Sequence, residues 1–309
     1  MEVGARITGW GTALPDQVVT NADFAARLDT SDEWIFERSG IRERRMGGTT
    51  GRLAVEAGRA ALKDAGVEAG DIELVVLATS TPDQTMPATA NFVQDELGIR
   101  GGAFDLNAAC SGFVYALVAG YGMAALGTRR ILVIGADVMS QITDQEDRGT
   151  AVLFGDGAGA VVLEATDGPG QLLGWDLGSD GAARHLLYAD RGGFTKMDGK
   201  EVFRQAVRVM VTSATRALAA AGVAAADVKL LVPHQANVRI IDSACQRLGV
   251  PGDRASLVLE RTGNTSAASI PLALADAADA GRLDDGDLVL LVGFGAGMSW
   301  ASAVLRWAP

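Results

Sequence analysis

Residues 60–76 read AALKDAGVEAGDIELVV, and residues 216–232 read RALAAAGVAAADVKLLV. The second stretch repeats the first at a separation of 156 positions, with Gly66 matched by Gly222 and Asp71 by Asp227. Both stretches have the pattern of a helix that stops at a glycine, a short loop and an apolar strand. A period of about half the chain indicates a duplicated α/β unit.

The same separation relates further segments of the two halves. It places residues 107–112 over residues 263–268, so that Cys110 is aligned with Ser266. Each half then has a strand-like run and a final β segment, at residues 130–135 and 159–163 and at residues 287–293 and 302–305. We predict two halves, residues 1–167 and 168–309, each with a parallel-rich sheet covered on both faces, and an active site at their junction. The Gly-rich residues 168–193 are predicted to form a linker or lid.

The composition limits the classes of function. The 309 residues include 27 Lys and Arg against 38 Asp and Glu, a formal net charge of −11, which argues against general binding to nucleic acid or to an anionic membrane. Apolar runs such as residues 74–78 and 288–294 are too short to span a bilayer, and Met1-Glu2-Val3-Gly4 lacks the layout of a signal peptide. We expect a globular protein of the cytoplasm.

The two cysteines indicate free thiols and not a disulfide framework or a metal site. Cys110 and Cys245 are too few for a disulfide framework, and no Cys and His cluster has metal-ligand spacing, so we expect no metal. Cys110 precedes the apolar residues 113–126, which predicts a thiol at the N-terminus of a buried helix. The positive helix end favours the thiolate there, and free backbone N–H groups suit an oxyanion. Alone, Cys110 is better explained as a small buried residue.

His234 and Asn264 are the candidate partners of Cys110. His234 follows the apolar residues 230–232, where the carboxyl end of a strand opens towards a crevice. Asn264 lies at the predicted corner of the second half, where corner means the turn between a strand and the helix that follows it. Alone, each has a structural explanation, the histidine as a core residue bonded to a carbonyl and the asparagine as a turn residue or helix cap. Because the repeat puts Cys110 and Asn264 at corresponding corners, we predict that both meet His234 and that the three are catalytic.

The chain also resembles the β-ketoacyl-acyl carrier protein synthases of type III, the initiating condensing enzymes of the thiolase superfamily. The resemblance covers essentially the whole sequence and rests on eight collinear stretches, which are NAD (21–23), TSDEWI (30–35), RSGIR (38–42), AACSGF (108–113), DRGT (147–150), FGDGAGA (154–160), HQAN (234–237) and GNTSAAS (263–269). It implies the five-layered αβαβα thiolase fold with two similar halves, and a homodimer.

The resemblance also implies a reaction, the one that initiates fatty acid biosynthesis. Cys110 would take the acyl group of an acyl-CoA, which is a substrate and not a cofactor, and condense it with malonyl-acyl carrier protein to a 3-oxoacyl-acyl carrier protein with loss of CO₂. A neutral His234 with Nε2 as donor, together with Asn264, would hydrogen-bond the malonyl thioester oxygen. Backbone N–H groups of Cys110 and of the loop 294–297, which contains Phe294 and Ala296, would hold the oxyanion at the acylated cysteine.

Other positions match the family's substrate contacts. Trp34 and Arg148 resemble the pair that stacks on the CoA adenine, which is physically reasonable because indole and guanidinium are both flat. Arg38 matches a residue near the CoA phosphates, and Asn237 one near the pantetheine. The basic patch that docks the acidic carrier protein is matched by three arginines, Arg239 with Arg204 and Arg247.

Three positions depart from the family pattern. Ala296 stands where many relatives have glycine, which keeps the backbone N–H but restricts the backbone. Lys200 replaces a residue that is often Asn near the CoA. Met86 matches a position that in relatives reaches the acyl pocket of the partner subunit, and its flexible side chain leaves the acyl preference open.

Three other functions stay open at this point. A starter-unit condensing enzyme or acyltransferase of polyketide or other secondary metabolism would share the fold and the nucleophile. A Cys-His-Asn hydrolase would use His234 as a base for the thiol. A carrier-protein-binding module would use the Arg239 patch, with Cys110 purely structural. His234 and Asn264 together favour decarboxylative condensation, because transfer to an alcohol or amine needs no stabilised enolate.

Overall fold

The computed structural model describes residues 3–308. Met1 and Glu2, on which the expectation about the N-terminus partly rests, lie outside the described residues, as does Pro309. The strands are β1 (Val3–Ala13), β2 (Val18–Thr20), β3 (Glu43–Arg45), β4 (Leu74–Ala78), β5 (Gly102–Leu106), β6 (Arg130–Val138), β7 (Asp156–Asp167), β8 (Leu172–Ser179), β9 (Leu187–Tyr188), β10 (Lys196–Met197), β11 (Leu230–Pro233), β12 (Leu288–Gly295) and β13 (Ser299–Arg306). The α-helices are α1 (Asn21–Ala25), α2 (Asp32–Ser39), α3 (Thr50–Ala65), α4 (Thr89–Leu97), α5 (Gly112–Ala125), α6 (Gly199–Ala221), α7 (Val238–Leu248), α8 (Leu259–Thr262) and α9 (Ser269–Asp279).

Most strands belong to two large sheets. The first contains β1, β7, β6, β4 and β5 in that order, and the second contains β11, β12, β13 and β8. Every strand of the first sheet lies before residue 168, and every strand of the second lies after it. The division of the chain at residues 167 and 168 stays a prediction, and this distribution of strands supports it.

The sheets and helices are stacked in five layers. α3 and α4 pack on the outer face of the first sheet, α5 and α9 lie between the two sheets, and α6 and α7 lie on the outer side of the second. Because α5 is covered by sheets on two sides, Phe113, Val114 and Leu117 have no exposed surface. The predicted αβαβα fold with two similar halves is confirmed. Within residues 3–308, no helix is both long and apolar enough to span a lipid bilayer.

The two copies of the repeat fold alike. α3 and α6 each end just before a glycine with left-handed backbone, with φ of 64° at Gly66 and 65° at Gly222. Only glycine adopts such angles without strain, so these residues end both helices. The strands that follow, β4 and β11, pair in parallel with β6 and β12 respectively.

Two expectations about the sheets are wrong. The first sheet has two parallel and two antiparallel pairings, and the second has one parallel and two antiparallel, so neither is parallel-rich. A short turn joins β12 to β13, and short turns connect antiparallel neighbours. Residues 168–193 are not a simple linker or lid either, because they contain β8, the edge strand of the second sheet. Glycine there allows close packing: a Cβ at Gly174 would lie 2.5 Å from the carbonyl oxygen of Ala217 on α6.

The halves meet where a strand of each passes a backbone corner of the other. Gly135 on β6 lies against the corner before α9, and a Cβ there would come within 2.3 Å of the carbonyl oxygen of Ala267. Gly293 on β12 lies against the corner before α5, and a Cβ there would come within 2.9 Å of the Cα of Ser111. A larger residue at either position would force the two corners away from the junction.

We expect Gly135→Ala to lower the free energy of unfolding by about 3 kcal/mol, because the new methyl group overlaps the Ala267 carbonyl. Urea unfolding measures this change. Gly122→Ala on α5 is the matched control, since nothing lies within 4 Å of a Cβ at this exposed position. It should raise stability by about 0.5 kcal/mol, because alanine is the better helix former. Equal unfolding midpoints for the two variants would contradict this description of the junction.

Candidate active site

A cavity of about 710 Å³ opens at the junction of the two halves. Cys110, His234 and Asn264 all line it, so the structure brings together three residues that are far apart in the sequence. Much of the remaining lining is apolar, including Met139, Ile142, Leu153, Phe154, Leu187, Met197, Val202, Phe203, Ile240 and Phe294. Such a space suits an acyl chain beside a small number of polar groups.

Cys110 lies in the middle of a 3-10 turn between β5 and α5. The preceding residue, Ala109, has a φ of 48°, in the left-handed region that residues with a side chain disfavour. The Ser111 hydroxyl lies 2.7 Å from the carbonyl oxygen of Ala108 and 2.9 Å from the hydroxyl of Ser299. These contacts hold the strained corner against β13 of the second half.

The loop after β12 passes directly beside the cysteine. A Cβ at Gly295 would lie 2.6 Å from the backbone nitrogen of Cys110, so glycine is needed for this approach. Gly297 has a φ of 105°, whereas Ala296, which lines the cavity, is not among the residues with positive φ between residues 3 and 308. The alanine that departs from the family pattern is therefore accommodated without strain.

Burial controls the ionisation of Cys110, which has 8% of its surface exposed. Burial raises the pKa of the thiol to about 12; a hydrogen bond with the Ser266 side chain opposes this rise, and the negative charge of Asp137 adds to it. The expectation of a thiolate at the helix end is therefore wrong for this structure. Removing a charge from water outweighs the modest attraction of a helix terminus.

His234 is held on both its backbone and its ring. Its backbone N–H donates to the carbonyl oxygen of Val292 over 2.8 Å, and its Nδ1 lies 2.7 Å from the hydroxyl oxygen of Ser269. The side chain is buried, and burial lowers the pKa of the imidazole to about 3. The ring is therefore neutral at physiological pH.

Asn264 is anchored to the first half through its backbone. Its N–H donates to the carbonyl oxygen of Leu153 over 2.9 Å, and its carbonyl accepts from the N–H of Gly155 over 3.0 Å. The side-chain Oδ1 accepts from the backbone N–H of Ser266 over 2.9 Å, which assigns the orientation of the amide. Nδ2 remains as a donor without an acceptor among the residues that the structure describes.

The two corners correspond, but with a separation of 157 positions and not 156. Asn107 Oδ1 accepts from the N–H of Ala109 over 3.1 Å, as Asn264 does from Ser266. Ala109 and Ser266 are also the non-glycine residues with positive φ in residues 3–308, at 48° and 50°. Asn264 thus corresponds to Asn107, and the predicted alignment of Cys110 with Ser266 is wrong by one residue. The second half has one more residue between its strand and its corner.

Asp137, which the sequence analysis missed, joins the loop after β4 to the second corner. It is fully buried, and its Oδ1 accepts from the hydroxyl of Thr79 and from the backbone N–H groups of Ser80 and Thr81. Its Oδ2 accepts from the N–H of Ala267 over 3.0 Å. Burial raises the pKa of this carboxyl group. The available signal was an aspartate inside the apolar run of β6.

Trp34, on α2, is already in contact with both arginines of its predicted site. The guanidinium carbon of Arg38 lies 4.7 Å from the ring centroid, and that of Arg148 lies 4.8 Å from it. Arg148 also donates to the carbonyl oxygen of Asp29 over 2.7 Å. These distances are those of direct cation–π contact, so no base fits between Trp34 and Arg148 in this conformation.

Asn237 lines the cavity and caps α7. Its Oδ1 accepts from the N–H of Arg239 over 2.9 Å, and its Nδ2 donates to the carbonyl oxygen of Arg38 over 2.6 Å. The amide therefore joins α7 to the C-terminal end of α2. The cap on α7 is a structural role that the sequence did not predict for this residue, and its contact with the pantetheine stays a prediction.

The three arginines of the predicted basic patch are exposed on two adjoining helices. Arg204 lies on α6, and Arg239 and Arg247 lie on α7. The guanidinium carbon of Arg239 is 5.7 Å from the ring centroid of Phe203, which lines the cavity. The patch is thus adjacent to the cavity.

Two of the remaining predicted positions differ in their surroundings. Phe294 is buried and lines the cavity, whereas Met86 does not line it and is 81% exposed. A contact of Met86 with the acyl pocket of a partner subunit stays a prediction. Lys200 is exposed in the first turn of α6, next to Gly199, which lines the cavity.

The chain is similar to known proteins over nearly its whole length. Residues 104–181 match the family 3-oxoacyl-[acyl-carrier-protein (ACP)] synthase III, and residues 218–307 match its C-terminal counterpart. The chain is 51% identical to the β-ketoacyl-[acyl-carrier-protein] synthase III of Bradyrhizobium diazoefficiens, with 99% of each chain covered.

Solved structures extend the comparison. The chain is similar to 3-oxoacyl-[acyl-carrier-protein] synthase III from Aquifex aeolicus, with a TM-score of 0.96, 42% identity and coverage of 98% of this chain and 100% of that one. It is also similar to the priming β-ketosynthase of the R1128 polyketide biosynthetic pathway, with a TM-score of 0.93, 38% identity and coverage of 98% and 96%.

The buried imidazole predicts a pH dependence of stability. His234 has a pKa of about 3 in the folded chain and about 6.5 when unfolded. As the pH falls below about 6.5, the unfolded state takes up a proton that the folded state does not, so the free energy of unfolding falls. Between about pH 7.5 and about pH 5.5, wild type should therefore lose about 1.4 kcal/mol more unfolding free energy than His234→Gln. Urea unfolding at both pH values tests this. An equal loss in both proteins would argue against a buried neutral ring.

Proposed function

The chain belongs to the 3-oxoacyl-[acyl-carrier-protein] synthase III family, and we infer from this premise that it is the acyltransferase that initiates fatty acid biosynthesis. The observation that carries this function is the convergence, in one cavity, of the Cys110 thiol with the side chains of His234 and Asn264. Decarboxylative condensation requires a nucleophile that holds an acyl group and donors that stabilise an enolate.

The first step transfers an acyl group from acyl-CoA to Cys110. The sulfur bonds to the thioester carbonyl carbon, CoA leaves as its thiolate, and the proton of the Cys110 thiol passes to it. Because the thiol is neutral beforehand, loss of its proton accompanies the attack. Backbone N–H groups of Cys110 and Ala296 stabilise the oxyanion that forms on the carbonyl.

The second step uses malonyl-acyl carrier protein. His234 and Asn264 donate to its thioester oxygen, which carries the negative charge of the enolate as CO₂ leaves. The enolate carbon then attacks the carbonyl carbon of the acyl-cysteine and forms the 3-oxoacyl-acyl carrier protein. The carbon–sulfur bond breaks, and Cys110 leaves as a thiolate that takes up a proton from solvent. Ser269 and Ser266 hold the opposite sides of the two donor groups, so both are already oriented when charge develops.

The CoA binds, in this proposal, along Trp34, Arg38, Arg148 and Asn237. For the adenine to stack between Trp34 and Arg148, Arg148 must move off the indole and release the carbonyl oxygen of Asp29. Arg38 is exposed beside the same ring, where its guanidinium would meet the phosphates, and Asn237 leads from this surface into the cavity. In this proposal the adenine replaces the arginine on the face of the indole ring.

The carrier protein docks, in this proposal, on Arg204, Arg239 and Arg247. An acidic partner is attracted to exposed arginines even on a chain whose net charge is −11. The position of Phe203, below Arg239 and at the cavity wall, supports delivery of the malonyl group from this side.

We further propose a homodimer formed through β5, the edge strand of the first sheet. An unpaired strand edge is a template for pairing with another chain, and Phe104 on β5 is 38% exposed. Pairing there would also give Met86 a partner subunit to contact. We also propose that the chain divides into two halves, residues 1–167 and 168–309, and that the protein is located in the cytoplasm.

A second candidate is a starter-unit condensing enzyme of secondary metabolism. The likeness to the polyketide priming β-ketosynthase supports it, at 38% identity. The first function is favoured because curated β-ketoacyl-[acyl-carrier-protein] synthases III reach 51% identity over nearly the whole chain. Both candidates use the same acyl-cysteine.

The proposal predicts that the two half-reactions separate in variants. In His234→Ala and Asn264→Ala, transfer of an acyl group from acyl-CoA to Cys110 should stay within about twofold of wild type, while CO₂ release from malonyl-acyl carrier protein should fall by about 10²–10³. Intact-mass measurement follows the first reaction and trapping of CO₂ the second. His185→Ala, at an exposed histidine, is the control and should change neither rate. Loss of acylation in His234→Ala would favour a histidine that acts as base for the thiol, as in a hydrolase.

A further inference from the structure

Ser269 is the residue that faces the imidazole of His234 on the side away from its proposed donor nitrogen. It is the first residue of α9, has no exposed surface, and places its Oγ 2.7 Å from Nδ1. The backbone N–H of Gln235 also donates to this Oγ, over 3.4 Å. Among residues 3–308, the Ser269 hydroxyl makes no hydrogen bond to a carbonyl oxygen, so Nδ1 is the acceptor available to its proton.

The duplicated architecture supplies an internal comparison for this pair. His234 corresponds to Ala78 through the strands, 156 positions apart, and Ser269 corresponds to Gly112 through the corners, 157 positions apart. The two residues of the first half also face each other, since a Cβ at Gly112 would lie 3.2 Å from the Cβ of Ala78. The same pair of positions is therefore in contact in both halves. In the first half the contact is apolar packing, and in the second half it is a hydroxyl group against an imidazole.

Counting donors and acceptors decides which tautomer fits. If Nδ1 carried the proton, it would donate to Ser269 Oγ, and the serine proton would be buried without an acceptor. If Nε2 carries the proton, Ser269 donates to Nδ1, Gln235 donates to Ser269, and both donors on the Nδ1 side of the ring are satisfied. Nε2 then has no acceptor among the described residues and is free for a substrate oxygen.

We propose that Ser269 is a positioning residue that fixes the plane and the tautomer of His234, so that Nε2–H is presented to the malonyl thioester. This inference rests on the function proposed above. It also separates that function from hydrolase chemistry, because a ring held in this tautomer has no lone pair on Nε2 with which to take the proton of Cys110.

The tautomer can be read directly, without any reaction. The chain has two histidines, so His185→Gln leaves His234 as the one imidazole, and nitrogen-15 labelling of histidine then gives the spectrum of that ring alone. We expect a protonated Nε2 and an unprotonated Nδ1. In Ser269→Ala on the same background, the Nδ1–H form should rise to about a tenth of the population or more, and Ser269→Thr should restore the original spectrum. A protonated Nδ1 in the parent, or an unchanged spectrum in Ser269→Ala, would overturn the proposal.

The kinetic consequence is selective for the second step. Ser269→Ala should slow CO₂ release from malonyl-acyl carrier protein about tenfold and leave acyl transfer from acyl-CoA to Cys110 unchanged, with Ser269→Thr restoring the rate. Ser256→Ala is the matched control, because Ser256 is an equally buried serine whose hydroxyl donates to Ala273 on α9 and does not touch the ring. Equal loss of both half-reactions in Ser269→Ala, or an equal effect of Ser256→Ala, would also overturn it. If wild type showed neither half-reaction, the proposed function would fail while the spectra still decided the role of Ser269.

Discussion

The site exists because two backbone corners from opposite halves of the chain approach the same point, and that approach depends on glycine. Gly135 and Gly293 each lie on a strand of one half and against the corner of the other, at distances that leave no room for a Cβ. Gly295 does the same beside the nitrogen of Cys110. The reciprocal contacts place a thiol from one half and an amide and an imidazole from the other around one cavity. The chemistry therefore follows from how closely the duplicated units pack.

Burial then determines the charge state of the groups that meet there. It raises the pKa of Cys110 to about 12 and lowers that of His234 to about 3, so both are neutral at physiological pH. Neutral groups fit a reaction in which negative charge appears first on one thioester oxygen and then on another. Hydrogen bonds from N–H donors stabilise the charge in both cases. The fully buried Asp137 sits behind this site and accepts from donors of both halves, which ties the loop after β4 to the second corner.

Much of this arrangement could be predicted from the sequence, because the repeat carries information about three-dimensional equivalence. It identified the two corners, and with them Cys110 and Asn264, while glycines at the helix ends gave the element boundaries. The features that could not be predicted depend on distances between residues in the folded chain. The one-residue shift at the second corner is invisible until Asn107 and Asn264 are seen to make the same hydrogen bond. The thiolate expectation was wrong because desolvation is a property of the packed chain. Ser269 and Asp137 were missed because serine and aspartate are common residues whose roles come from their neighbours.

If the proposed mechanism is correct, Cys110 takes the acyl group from the sulfur of CoA and releases it into a carbon–carbon bond. This role can be measured by intact mass spectrometry of wild type and Cys110→Ser with a panel of acyl-CoAs, before and after addition of malonyl-acyl carrier protein. We expect an acyl adduct on wild type that is absent from Cys110→Ser, persists without malonyl-acyl carrier protein, and is discharged as 3-oxoacyl-acyl carrier protein when that substrate is added. The absence of any adduct would show that Cys110 is not the acyl carrier, and its discharge as free acid without the malonyl substrate would identify a hydrolase.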